Sequence, residues 1–137
     1  MAIQFNPYFT FSGQTREAMS FYQQVFGGEL NLKTFAEFDA PVADEYKDMV
    51  MHAELVTPAL TLRASDGGVM APTVQASTNM EAAIIGDGES LEDARAWFAA
   101  LEEGATNVQP LMTAPWGDTF GSLTDRFGIA WMFNFTA

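Results

Sequence analysis

A chain of 137 residues, 48% of them apolar and including 12 Phe, 3 Tyr and 3 Trp, holds enough material for one domain with a substantial core. Eighteen acidic residues against six basic ones leave a net charge of −12. That is the wrong sign for neutralising phosphates or approaching an anionic bilayer, so roles in nucleic-acid or membrane binding are excluded and the acidity is read as a solubility device. The absence of cysteine excludes disulfides, thiolate catalysis and cysteine-ligated zinc.

No apolar run reaches the roughly 18 residues of a membrane span. Met1-Ala2-Ile3-Gln4-Phe5 shows no basic region followed by a long apolar stretch, so a cytoplasmic location is expected.

From the N-terminus, Ile3 to Phe11 alternates apolar and polar residues, which predicts a strand. Ala18, Phe21, Tyr22, Val25 and Phe26 then recur at helical spacing, and Gly27-Gly28 suits the end of that helix. Leu30 to Phe38, Met49 to Val56 and Leu60 to Ala64 are rich in strand-compatible residues. An acidic loop, Asp39 to Asp48, separates the first two of these, and Thr57-Pro58 reads as a turn. Ser65 to Asn79 is a Gly/Ser/Thr-rich connection.

The pattern then begins again. Ala82 to Ile85 is a short apolar strand, and Ser90-Leu91-Glu92-Asp93 resembles a capping box with Asp in place of Glu. Ala94, Trp97, Phe98 and Leu101 make a second helical stripe, closed by Gly104. Val108 to Met112, Thr119 to Leu123 and Ile129 to Phe135 follow as strands, with Asp125-Arg126-Phe127-Gly128 as the last turn.

One offset relates the halves. Ala94, Trp97, Phe98 and Gly104 each lie 76 residues after Ala18, Phe21, Tyr22 and Gly28. A fixed internal period implies a duplicated unit. The prediction is an α+β fold of tandem βαβββ modules, about 1–66 and 79–137, in one domain with eight strands and two main helices.

Three stretches carry a family resemblance. They are Asn6-Pro7-Tyr8-Phe9-Thr10-Phe11 with Gly13, then Glu17-Ala18 with Phe21-Tyr22-Gln23-Gln24-Val25-Phe26-Gly27-Gly28-Glu29, and Trp116-Gly117-Asp118 with Phe120-Gly121, Thr124-Asp125-Arg126-Phe127-Gly128-Ile129 and Trp131-Met132. His52-Ala53 and Ser65-Asp66-Gly67 fall between them. The chain resembles a PhnB-like protein of the vicinal oxygen chelate superfamily, which groups glyoxalases, bleomycin resistance proteins and dioxygenases. The resemblance implies paired half-open cups, usually in a homodimer. It also implies a divalent metal in many members, held by His or Gln on the first strand of each unit and Glu on the last. Such members isomerise, cleave rings or transfer thiols to antibiotics, and others only sequester drugs. Some PhnB-like proteins are named 3-demethylubiquinone-9 3-methyltransferases, but this chain has no glycine-rich loop opening a nucleotide-binding crossover.

Carried over position by position, the family's metal ligands fall on Asn6 or Pro7, on Leu62 or Arg63, on Met80 or Glu81, and on Met132. Only Glu81 is an ordinary ligand for a hard cation, so no cofactor is expected and the usual metal site is read as lost. A divalent metal on atypical ligands, with Glu81 and His52 the candidates, stays the alternative.

The remaining chemistry is sparse. His52 is the only histidine, and Glu54 lies two residues on, on the same face of a strand. The pair reads either as a general base with its orienting partner or as an ordinary polar pair. Arg63 reads as an anion clamp, or as a residue that faces solvent or pairs with a nearby acid such as Asp66. Trp116, Asp118 and Phe120 alternate as if along one strand, and with Tyr8 and Trp131 they would either stack on a planar ligand or serve as core. Met80 and Met132 would supply soft apolar wall. Tyr8, Arg63, Trp116, Phe120 and Met132 are therefore the binding candidates, and His52 and Glu54 the catalytic ones. The function expected is binding of a small molecule in a cup, by a metal-independent enzyme or a pure binder. The alternatives are a metal-dependent lyase, isomerase or dioxygenase, and a drug-sequestering resistance protein.

Overall fold

In the computed structural model, which describes residues 3–67 and 79–137, the first helical stripe becomes helix α1, Thr15–Phe26. Its apolar side is buried through Ala18, Met19, Phe21, Tyr22, Val25 and Phe26. Around it the chain forms β1 (Tyr8–Thr10), β2 (Glu29–Thr34), β3 (Val50–Val56) and β4 (Thr61–Ser65). These strands pair in the order β1-β4-β3-β2, with β1 parallel to β4 and the other pairs antiparallel. Successive strand residues point to opposite faces. Ala53, Leu55, Leu62 and Ala64 are buried toward α1, and each buried Leu or Phe contributes about 1.5–3 kcal/mol. Their neighbours His52, Glu54 and Arg63 are left on the open face.

The second half repeats the scheme with β5 (Ala82–Gly86), α2 (Leu91–Leu101), β6 (Thr106–Thr113), β7 (Thr119–Thr124) and β8 (Ala130–Phe135). Its order, β5-β8-β7-β6, is the first sheet's order carried over strand for strand. Ala94, Phe98 and Leu101 of α2 are buried on the same side as Leu123, Trp131, Phe133 and Phe135. Phe98 meets Phe133 edge-on, with ring centroids 5.3 Å apart. The α+β fold of two βαβββ modules, eight strands and two main helices, is therefore as the repeat predicts. The chain divides into two compact units, Met1–Gln75 and Ala76–Ala137. Among the described residues no helix is long and apolar enough to cross a membrane.

Two buried carboxylates tie the units internally. Asp66, just past β4, accepts hydrogen bonds from Thr15 N at 2.9 Å and Val50 N at 2.8 Å, joining the start of α1 to the start of β3. In the turn after β7, Asp125 accepts from Phe127 N at 2.8 Å, from Ile129 N at 3.1 Å and from the Trp131 indole Nε1 at 2.8 Å. That arrangement is why the turn motif and the tryptophan occur together in the sequence.

Several expectations need correction. Strand β1 covers only Tyr8–Thr10 of the alternating Ile3–Phe11 segment. Pro7 has no N–H for the ladder, although its carbonyl still accepts from Arg63 N at 3.2 Å. The run from Leu30 ends as strand at Thr34, because the Thr34 hydroxyl accepts from Glu37 N and the chain turns into a 3-10 segment at Ala36–Phe38. The capping box does not form. Ser90 makes no side-chain cap bond, and its N–H goes instead to the Asp87 carboxylate, which opens a 3-10 turn at Gly88–Ser90. Trp116 and Asp118 lie in the turn before β7 rather than along it. Of the two readings of Trp131, stacking or core, its full burial supports core. Most of the connection predicted over Ser65–Asn79 lies outside the described residues, but its first residues close β4 and supply the Asp66 anchor.

Candidate functional site

On the open face of the first sheet the ladder sets Tyr8 opposite Arg63 and Arg63 opposite Glu54. His52 stands opposite Lys33 on β2. The Arg63 guanidinium reaches the Glu54 carboxylate at 2.7 Å and donates through Nε to Asn6 Oδ1 at 3.1 Å. Both charged side chains are roughly 30% exposed (30% and 27%), so the pair is screened and contributes no more than about 1 kcal/mol. Its effect on chemistry is larger. The cation that would clamp an anion already holds a carboxylate, and Glu54 is directed to Arg63 rather than to His52. Nor does Arg63 pair with Asp66, whose oxygens serve backbone amides. His52 Nδ1 lies 3.4 Å from the Tyr8 hydroxyl, with ring centroids 6.1 Å apart. The structure thus brings together four of the sequence candidates, Tyr8, His52, Glu54 and Arg63, and pairs the histidine with a phenol.

The second unit carries a cavity of about 400 Å³. Phe120 and Ser122 of β7 and Met132 and Asn134 of β8 share the face opposite α2, paired across the ladder as Phe120 with Asn134 and Ser122 with Met132. They form the floor, which Gln109 of β6 extends opposite Ser122. Close approach of β6 to β7 depends on Gly121, where a Cβ would sit 2.8 Å from the Gln109 carbonyl oxygen. Trp116 and Asp118 reach the wall from the turn before β7, and Glu81 from the residue before β5. Trp116 is 72% exposed and Phe120 44%. A volume of this size, walled by both aromatic and amide groups, suits a small organic ligand.

Among the sequence candidates, Trp116, Asp118, Phe120, Met132 and Glu81 meet at this cavity. Gln109, Ser122 and Asn134 were not among them. Two of these were accessible to the alternation rule, since Ser122 lies two residues from Phe120 and Asn134 two residues from Met132. Gln109 follows only from the β6–β7 register, which is irregular on either side of it.

Comparison with known proteins places this geometry. The family model described as the Glyoxalase/Bleomycin resistance protein/Dioxygenase superfamily matches residues 4–133. The chain belongs to this superfamily. PA1353 from Pseudomonas aeruginosa, a solved structure, is 38% identical with a TM-score of 0.80, and 98% of each chain is covered. Protein YjdN of Escherichia coli is 26% identical over 140 residues, covering 94% of this chain and 92% of YjdN. The fold is also that of a structure from Bacillus cereus described as a putative 3-demethylubiquinone-9 3-methyltransferase, PhnB protein, at 21% identity and a TM-score of 0.72, with 98% of this chain and 100% of that one covered.

The positions that the resemblance assigns to metal ligands have the following surroundings. Asn6 already serves as acceptor for the Arg63 guanidinium, and Arg63 is itself a cation. Leu62 is buried core, and Met80 is 71% exposed. Met132 offers a soft thioether on the cavity wall, which leaves Glu81 as the one hard donor in the set. Zinc takes about four N, O or S donors and calcium or magnesium about six or more oxygens. The donor set at these positions does not fit a divalent metal.

Proposed function

We propose that this superfamily member binds a small organic molecule in the cavity of its second unit, without the divalent metal that many relatives use. The cavity itself carries the reading: a concave space of about 400 Å³ on the sheet face away from α2, with aromatic and amide side chains on its wall. The donor set at the metal positions supports the second part, because it offers fewer oxygen and nitrogen ligands than a Lewis-acid site needs.

The test starts from untagged protein prepared without chelators and offered manganese, iron, nickel and zinc. Substoichiometric metal under all conditions is expected. Stoichiometric metal lost in Glu81→Ala or His52→Ala overturns the metal-free reading. A thermal-shift screen of small organic compounds is then expected to find ligands that raise Tm by mass action. Ser122→Trp, which fills the cavity floor, abolishes that rise, and an undiminished rise in the variant places binding elsewhere. Recovery of the ligand unchanged after incubation separates a binder from an enzyme.

We also infer that the protein is a homodimer, as the family resemblance implies. Extended apolar residues such as Ile3 and Phe5, 91% and 98% exposed, are surface that a second copy would cover. Light scattering is expected to give twice the 15.0 kDa chain mass, and a single chain mass across a dilution series overturns this.

A further inference from the structure

We propose that the molecule held in the second unit's cavity is an organic cation, an aromatic or alkyl ammonium. This rests on the reading that the cavity is the binding site, and it adds the charge and class of the ligand.

Both ionisable side chains on the cavity wall are acids, Glu81 and Asp118. No basic side chain of the described residues lines it. The second unit has only two basic residues to offer, Arg95 and Arg126. Arg95 lies on α2, behind the opposite face of the sheet. Arg126 lies in the β7–β8 turn, with its guanidinium 5.1 Å from the centroid of the Phe127 ring. An anion entering the cavity would lose water and meet two carboxylates with no cationic side chain in the lining to offset them, which is costly. A cation gains the same two carboxylates.

The aromatics make the same selection independently. Trp116 and Phe120 add an indole and a phenyl ring to the cavity lining, the first largely and the second partly uncovered by the rest of the chain. Ring faces attract ammonium and quaternary ammonium groups, and tryptophan does so most strongly. An inorganic cation would use neither ring, and with two carboxylates it would fall short of the six or more oxygens that calcium or magnesium collects. Met132 supplies apolar wall, and the Asn134 and Gln109 amides supply acceptors for N–H groups. The combination of carboxylates, rings and an apolar wall suits a cation attached to a hydrophobic skeleton.

The experiment uses three probes with one skeleton: 1-naphthylmethylammonium, 1-naphthylmethanol and 1-naphthoate. Calorimetric titration is run at about 0.15 M ionic strength, where exposed charges beyond about 8 Å are screened. The ammonium is expected to bind on the order of 10-fold more tightly than the alcohol, with the carboxylate weakest. The double variant Glu81→Gln/Asp118→Asn is expected to remove that advantage and leave the alcohol unchanged. Trp116→Leu, which keeps apolar area without the ring, is expected to weaken the ammonium more than the alcohol. Because the whole chain is acidic, a control is needed that removes two exposed acids away from the cavity, Glu102→Gln/Glu103→Gln. If the control lowers ammonium affinity as much as the cavity variant does, the preference belongs to the overall charge and the proposal fails. Equal binding of the three probes, abolished by Ser122→Trp, keeps the cavity as the site but overturns the cation. Binding of the probes that Ser122→Trp leaves untouched overturns the cavity itself, and so does the absence of binding by all three.

Discussion

Replacing Trp131 by alanine is expected to lower stability by about 3–5 kcal/mol, a large share of the roughly 5–15 kcal/mol that holds a domain folded. Trp131 is fully buried and is the largest side chain to be so. It lies on β8 with Phe133 and Phe135, on the side of the sheet that faces α2. Its indole N–H also satisfies one oxygen of Asp125, which is only 3% exposed. Removal therefore leaves a cavity and takes one donor from a buried carboxylate. Two further variants separate the terms. Trp131→Phe keeps most of the volume and deletes the N–H, at an expected cost of about 1–3 kcal/mol. Asp125→Asn retains an oxygen for Phe127 N and Ile129 N but turns an amide toward the indole donor. The double variant should then cost less than the sum of the single ones. Urea denaturation followed by circular dichroism reads all of these. A loss below about 1 kcal/mol in Trp131→Ala would contradict the packing described here.

Asp66→Ala is expected to cost about 2–4 kcal/mol, because two N–H groups, of Thr15 and of Val50, lose their acceptor where solvent cannot replace it. Asp66 is 3% exposed and Thr15 fully buried. The carboxylate fastens the first turn of α1 to the strand that carries His52 and Glu54, so the loss spreads from fold to candidate site. Asp66→Asn, which keeps one acceptor oxygen, should lose roughly half as much. Hydrogen exchange at the Thr15 and Val50 amides should accelerate in the alanine variant. Removing an acid from a chain of net charge −12 also relieves some repulsion. The exposed change Glu102→Gln measures that contribution and is expected to stay within about 0.5 kcal/mol of the parent. If Asp66→Ala behaves like Glu102→Gln, the buried anchor has no energetic role.

The open sheet faces of the two units differ in kind although their strand orders match. The first carries an Arg63–Glu54 pair that is closed on itself, with Tyr8 and His52 alongside. The second carries carboxylates and rings with no cation among its lining residues. Duplication copied the scaffold, namely the helix stripe and the buried strand positions, because both copies must bury the same apolar surface. Open-face positions carry no such constraint, and there the copies diverged: Arg63 stands across the ladder from Glu54, and Met132 across the ladder from Ser122.

How much of this was legible in the residues depends on the range of the interaction. The two helices and their 76-residue offset follow from a 3.6-residue period that local sequence writes directly, and the elements fall where it places them. Strand faces follow from a period of two, which set His52 and Glu54 on one face. The Asp125 turn was legible as a turn because its acceptor and the three donors named above lie within six residues. What the sequence could not determine is what closes over long separations. Asp66 reaches Thr15 across 51 residues and Arg63 reaches Asn6 across 57, and no local pattern encodes either contact. The 3-10 turn after Thr34 and the Asp87 cap were settled by competition between backbone and side-chain hydrogen bonds, which composition does not rank. The cavity belongs to the same class. Glu81, Gln109, Trp116 and Asn134 come from four separate segments and share one wall only because the β6-β7-β8 register and the parallel pairing of β5 with β8 set them side by side.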